Sequence, residues 1–206
     1  MGLGNNQYGV LLNGTTEGHS CEPVKIMNDI VMVSAGARHG MALLKTGGVV
    51  LWGDNEEKQI SPDKKEGTAF RPALVMEDCV KVFAGLKLSS TVDYEGGVWI
   101  WGDMAEMRGG DFAQESGEPI EIVNIGGDSN QPLLLASDGT LYAWDLKKGN
   151  INVLAESVRQ MSFKSMHVLL LKEDGSVWAS GKNEYSQLGD GTTEETSKLI
   201  LVYPGS

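Results

Sequence analysis

The chain has 206 residues, 41% of them hydrophobic and 22% charged, a composition that suits a packed core rather than a disordered chain. Lys and Arg number 17 against 28 Asp and Glu, a net charge of −11, which repels phosphate backbones and anionic lipid and argues against nucleic acid or membrane surfaces as general partners. No apolar run approaches the ~20 residues that a membrane span needs, and residues 1–6 lack the charged and apolar regions of a signal peptide. Glycine, at 27 of 206 residues, exceeds its usual share of about 7% and implies many tight turns between short strands.

In chain order, Pro23-Val24-Lys25-Ile26 and Val31-Met32-Val33 read as short strands. Residues 42–53 (ALLKTGGVVLWG) then read as an apolar strand, a turn at Gly47 and a second apolar strand ending in Trp52. The order recurs with Pro72-Ala73-Leu74-Val75, Val80-Lys81-Val82-Phe83 and a hairpin over 91–102. It recurs again with Pro119-Ile120-Glu121-Ile122, Val123-Asn124-Ile125 and a hairpin over 134–145, and finally with Val158-Arg159-Gln160-Met161 and a hairpin over 170–181. Each proline is expected to open its strand, where no ladder donor is lost. Asp138-Gly139 and Asp174-Gly175 are the strongest signals for two-residue type I′ turns, which need positive φ. Near-continuous apolar runs such as Val49-Val50-Leu51-Trp52 fit strands covered on both faces.

The turn glycines Gly47, Gly96, Gly139 and Gly175 lie 49, 43 and 36 residues apart, and Trp52, Trp101, Trp144 and Ser180 follow five positions later. One period before Trp52 falls on Leu3, and Gly4 then matches Gly53, Gly102 and Gly181. Four short strands per ~40–50 residues is the arithmetic of a propeller blade, and no segment carries sustained helical periodicity. The expectation is all-β: a β-propeller of about four four-stranded antiparallel blades, forming a partial or degenerate ring. One domain spans 1–206, with repeat units at approximately 4–53, 54–102, 103–145 and 146–181 and a partial unit at 182–206.

A polar loop follows each hairpin. Asn6-Gln7-Tyr8-Gly9-Val10-Leu11, Asn55 to Ile60 and Asn183-Glu184-Tyr185-Ser186-Gln187-Leu188 share an Asn, four intervening residues and an apolar anchor. The first and last continue as Asn13-Gly14-Thr15-Thr16-Glu17 and Asp190-Gly191-Thr192-Thr193-Glu194, where Asn, Asp and Gly suit left-handed turns and the threonines suit capping. These loops, with Ala35-Gly36-Ala37-Arg38-His39-Gly40-Met41-Ala42-Leu43 through Trp52-Gly53, resemble the regulator-of-chromosome-condensation repeat family. The resemblance covers essentially the whole chain and implies a propeller, with seven blades the family norm. Met104 and Lys147 depart from it at the loop Asn, and Leu88 and Gln131 at the repeat His seen at His39 and His167. About four blades imply a piece of a longer chain, with a dimer of half-rings or a small degenerate ring as alternatives. An open arc leaves β-edges that invite pairing.

No residue is singled out as catalytic, cofactor-binding or metal-ligating, and no cofactor is expected. The resemblance gives His39 and His167 a structural hydrogen-bonding role, and a residue recurring with the repeat suits that better than catalysis. His19 reads as a solvated loop residue. Gly2-Leu3-Gly4 lacks the following Lys-Ser or Lys-Thr of a phosphate loop. Glu56, Glu57, Asp63, Asp103, Glu106, Asp111, Glu115, Glu118, Glu194 and Glu195 read as solvated loop charges; those between 103 and 118 form one acidic patch for a basic partner. Asn13-Gly14-Thr15 is a glycosylation sequon and equally the repeat's loop motif. Cys21 and Cys79 form no CxxC or metal-ligand spacing and are expected reduced and mostly buried, a single disulfide being the alternative. Trp52, Trp99, Trp101, Trp144 and Trp178 are expected to pack between blades.

Propeller strands build the scaffold and loops recognise partners. The expected function is therefore a non-enzymatic protein-interaction module whose partner binds the loops of one face. Alternatives are a regulator resembling the family's nucleotide-exchange factor for a small GTPase, or a structural or display segment of a larger secreted or surface protein. Partners in view are another protein, further blades of the same chain or a second copy, with no nucleic acid and no membrane insertion.

Overall fold

The computed structural model describes all residues except 17, 62–66, 103–104, 111–119, 128–130, 147, 165 and 206, and for 68, 70 and 105–110 it describes the backbone alone. The described elements are all strands, arranged in two compact units, Met1–Pro119 and Ile120–Ser206.

In the first unit, β1 (Gly2–Asn5) pairs with β2 (His19–Val24). Next come β3 (Ile30–Ala35), β4 (His39–Leu44), β5 (Val49–Asp54) and β6 (Thr68–Met76), followed by β7 (Cys79–Ala84), β8 (Leu88–Asp93), β9 (Val98–Gly102) and β10 (Ala105–Gly110). The second unit holds β11 (Ile122–Gly127), β12 (Pro132–Ala136), β13 (Leu141–Asp145) and β14 (Asn150–Ala155), then β15 (Val158–Lys164), β16 (His167–Lys172), β17 (Val177–Gly181) and β18 (Thr196–Tyr203). Each group of four is an antiparallel sheet with neighbours in sequence order, the form of a propeller blade. In the sheets that hold β6 and β18 the outer strand lies beyond the polar loop that follows the third strand. A sequence repeat ending at Gly53 or Gly102 therefore leaves its own outer strand to the opening of the next repeat.

The inner strands are buried on both faces, as expected: five of the six residues of β4 and all six of β5 are buried. Within the first unit one core joins Met41, Leu43, Val49, Leu51, Ile60, Cys79, Val82 and Trp101. Within the second, another joins Leu133, Leu135, Leu141, Ala143, Val158, Met161, Val168 and Leu170. Ser34 Oγ accepts the Ala84 amide at 2.8 Å, tying β3 to β7, and Asn124 donates to the Met161 carbonyl at 3.0 Å, tying β11 to β15.

The hairpin turns are not the two-residue type expected from sequence. Leu44 N–H donates to Gly48 O at 2.8 Å while Gly47 N–H donates to Leu44 O at 3.0 Å, and the same pair of bonds recurs at 93–97, 136–140 and 172–176. These are three-residue loops, a type I turn closed by a glycine bulge, so only the glycine needs positive φ (87° at Gly47, 81° at Gly175). Asp138 and Asp174 contribute through their side chains instead. Their carboxylates accept the amides of Thr140 and Ser176 at 2.8 and 2.9 Å.

The prolines also sit differently. Pro23 and Pro72 lie inside β2 and β6, where the ladder skips between Gly2 and Gly4 and between Leu51 and Gly53. A bulge on an outer strand needs no donor there. Pro119 lies outside the described residues, Ile120 and Glu121 are not strand, and Ile122 opens β11. The outer edge beside β9 is instead β10. His19 opens β2 rather than lying in a loop, and it is exposed. Of the two cysteines, both free, Cys79 is buried as expected but Cys21 is exposed. Burial pushes the Cys79 thiol pKa up, with the Thr91 hydrogen bond opposing.

Candidate functional site

One end of the sheets carries the tight hairpin turns, and the other carries the long loops. Asn183 is fully buried. Its Oδ1 accepts the Leu188 amide at 2.9 Å, and its Nδ2 donates to the Asp190 carboxylate and the Thr192 carbonyl, each at 3.1 Å. Asn6 does the same with Leu11 N (2.9 Å), Asn13 Oδ1 (2.8 Å) and Thr15 O (3.0 Å). Asn55 accepts from Ile60 and Ser61 at 2.8 and 3.1 Å. One side chain thus satisfies backbone groups on both limbs of its loop, while Leu11, Ile60 and Leu188 sink to 3%, 0% and 1% exposure.

Asn13 and Asp190 act one layer out, each accepting the amide and hydroxyl of the threonine two residues on. The Thr192 amide, then its hydroxyl and the Asn183 amide, hold the Asp190 carboxyl below its ordinary pKa. Three loop residues take left-handed backbone although they are not glycine: Leu12, Lys58 and Ser186, at φ 50°, 63° and 56°.

In the first unit the loops also bind the neighbouring sheet. Val10 O accepts Trp52 Nε1 at 2.8 Å. Gln59 O accepts both Trp101 Nε1 at 3.0 Å and Ser89 Oγ at 2.7 Å. Because Ser89 spends its proton on Gln59, its oxygen accepts from His39 Nε2 at 2.9 Å, which fixes the neutral His39 tautomer and leaves Nδ1 bare. Burial pushes His39 from its ordinary 6.5 down to about 4. Between those values the unfolded chain binds the proton and the folded chain does not, so stability is lost as pH falls from 6.5 to about 4. The loss is on the order of 3 kcal/mol. Urea titrations across that window should show it in the wild type and not in His39→Leu, the residue that Leu88 supplies one repeat later.

Trp52, Trp101 and Trp144 are buried, but Trp99 and Trp178 do a second job. They lock their own hairpins through Asp93 (2.8 Å) and Ser176 (2.9 Å). Ser89, Ser90 and Thr91 are fully buried hydroxyls that sequence reading missed. The latter two bond the carbonyls of Phe83 and Lys81.

Outside this frame, the loop ends present charged and aromatic groups. Arg38 stacks on Tyr8, 4.8 Å from the ring centroid, and lies 3.7 Å from both Asp54 and Glu56. Lys87 pairs with Glu57 at 2.7 Å, and Lys182 with Glu195 at 2.6 Å. Tyr185, at the place Tyr8 holds in its loop, is 87% exposed. Among the described residues no three His, Cys, Asp or Glu side chains gather as metal ligands would. Asp63, Asp103, Met104, Asp111, Glu115, Glu118, Lys147 and the Glu106 side chain, hence the acidic patch, lie outside the described residues.

The description "Regulator of chromosome condensation (RCC1) repeat" matches the chain at residues 2–43 and, in a second form, at 30–59. No curated protein sequence matches it. Among solved structures, human WBSCR16 is similar over 97% of this chain and 61% of its own, at 17% identity and a TM-score of 0.74. Yeast RCC1 (Prp20), bound to Kap60, is similar over 95% of this chain and 54% of its own, at 16% identity and a TM-score of 0.70. Prp20p from Saccharomyces cerevisiae also appears at 18% identity, 83% and 50% coverage and a TM-score of 0.64. The chain spans about half to three fifths of the length of these structures. Residues 2–59 thus match models of the RCC1 repeat, and the four-stranded sheets and these neighbours show that the chain has a β-propeller fold.

Proposed function

We propose that the chain is a non-enzymatic protein-interaction module that binds its partner through the long-loop ends of its sheets. The observation that carries this reading is Tyr185, 87% exposed on a loop pinned from within by Asn183 and Leu188. An aromatic side chain on a preorganised loop contributes contact area without the cost of ordering the backbone on binding. The partners named for the yeast neighbour, Kap60 in one structure and Gsp1p and histones in the other, are themselves proteins, which supports a protein partner here. A photo-crosslinking amino acid at position 185 is expected to trap a specific protein in lysate from cells that make this chain.

A further inference from the structure

The loops at 6–15 and 183–192 frame one side chain in the same way but differ in what it is. Asn6 matches Asn183, Thr15 matches Thr192, and Gly14 matches Gly191 with the same φ of 83°. Between them stands Asn13 in the first loop and Asp190 in the second. Asp190 accepts from Asn183 Nδ2 at 3.1 Å and from the amide and hydroxyl of Thr192, each at 2.9 Å. Asn13 Oδ1 accepts from Asn6 Nδ2 at 2.8 Å and from the amide and hydroxyl of Thr15 at 3.2 and 3.1 Å. Asn6 is fully buried, which fixes its donor.

Three donors converging on one oxygen bind a carboxylate more strongly than an amide. In the second loop the Thr192 amide, helped by the Thr192 hydroxyl and Asn183, holds the Asp190 carboxyl below its ordinary pKa. In the first loop the amide oxygen takes all three bonds, and among the described residues the Asn13 nitrogen takes part in none. Asn13 is exposed and opens the one Asn-Gly pair of the sequence. A Cβ on Gly14 would meet nothing within 4 Å, so the flank of that peptide is open to water.

We propose that Asn13 is a self-modification site, where water converts the side-chain amide into the carboxylate that Asp190 already carries. The Gly14 nitrogen attacks Asn13 Cγ and gives its proton to water, while charge develops on Oδ1. The Cγ–Nδ2 bond then breaks, and the nitrogen takes up a proton and leaves as ammonia. Water opens the resulting cyclic imide at one of two carbonyls. Attack at Cγ again puts the developing charge on Oδ1 and frees the Gly14 nitrogen from Cγ, leaving aspartate with its normal backbone. Attack at the main-chain carbonyl leaves isoaspartate. Preorganised donors favour the step whose charge develops on the atom they face, so the folded loop selects aspartate. One water is consumed and one ammonia released, and the new carboxyl ionises at neutral pH. The inference is independent of the loop-end reading above.

The test incubates the full 206-residue chain in mildly alkaline buffer, folded in one sample and unfolded by guanidinium chloride in the other. The peptide carrying residue 13 is then read by mass and by enzymatic methylation of isoaspartate. The folded chain is expected to convert mainly to aspartate, and the unfolded chain, its donors dispersed, mainly to isoaspartate. Thr15→Val removes the hydroxyl donor at an exposed position. It is expected to slow folded-state conversion about three- to tenfold, what one hydrogen bond is worth in a barrier. Asn13→Asp is expected to melt no lower than the wild type, because its carboxylate meets three donors. A folded chain that stays unconverted while the unfolded chain is exhausted overturns the proposal. So does isoaspartate as the main folded-state product, an unchanged rate in Thr15→Val, or a lowered melting temperature in Asn13→Asp.

Discussion

Replacing Trp101 by alanine is expected to cost about 3–5 kcal/mol in urea unfolding, the range for emptying a large aromatic from a packed core. Trp101 is completely buried, packed with Met41, Leu51, Ile60 and Val82, and its indole N–H holds the Gln59 carbonyl at 3.0 Å. The substitution removes a filler between two sheets and a donor to the loop beneath them at once. Trp101→Phe separates the two contributions. It keeps most of the volume and loses the bond, for about 1–3 kcal/mol. A Trp101→Ala protein that unfolds at the wild-type urea concentration would mean that the sheets do not meet there.

Asn183→Ala is expected to cost about 3 kcal/mol, because it strands the buried Leu188 amide and the Thr192 carbonyl together. Asn183→Asp is expected to be at least as damaging at neutral pH. It preserves the acceptor for Leu188 but turns a carboxylate toward the Asp190 carboxylate and the Thr192 carbonyl, where Asn183 now donates at 3.1 Å. Lowering the pH enough to protonate the new carboxyl should recover part of the loss. Equal stability of all three proteins across pH would show that the loop is held by something other than this side chain.

Much of this frame was legible because it is local and repeated. The turn glycines, the Asn-to-Leu loop spacing and the apolar inner strands each state a conformational need at a fixed offset in sequence. The parts that were not legible depend on partners distant in the chain. Ser89, Ser90 and Thr91 look like a polar interruption of β8 until Gln59 O, Phe83 O and Lys81 O are placed beside them. Asp138 and Asp174 carry the same turn signal either way, and only the hydrogen bonds distinguish a two-residue turn from a three-residue one.

Whether the long-loop ends recognise a protein while the rest of each sheet is scaffold is decided by comparing crosslinks from two positions. One is Tyr185 in the loop after β17; the other is Glu173 in the exposed hairpin turn at the opposite end of the same sheet. A specific protein adduct is expected from position 185, displaced by excess unlabelled chain, and none from position 173. The same adduct from 173 alone, or none from 185 in lysate from cells that make the chain, would contradict it.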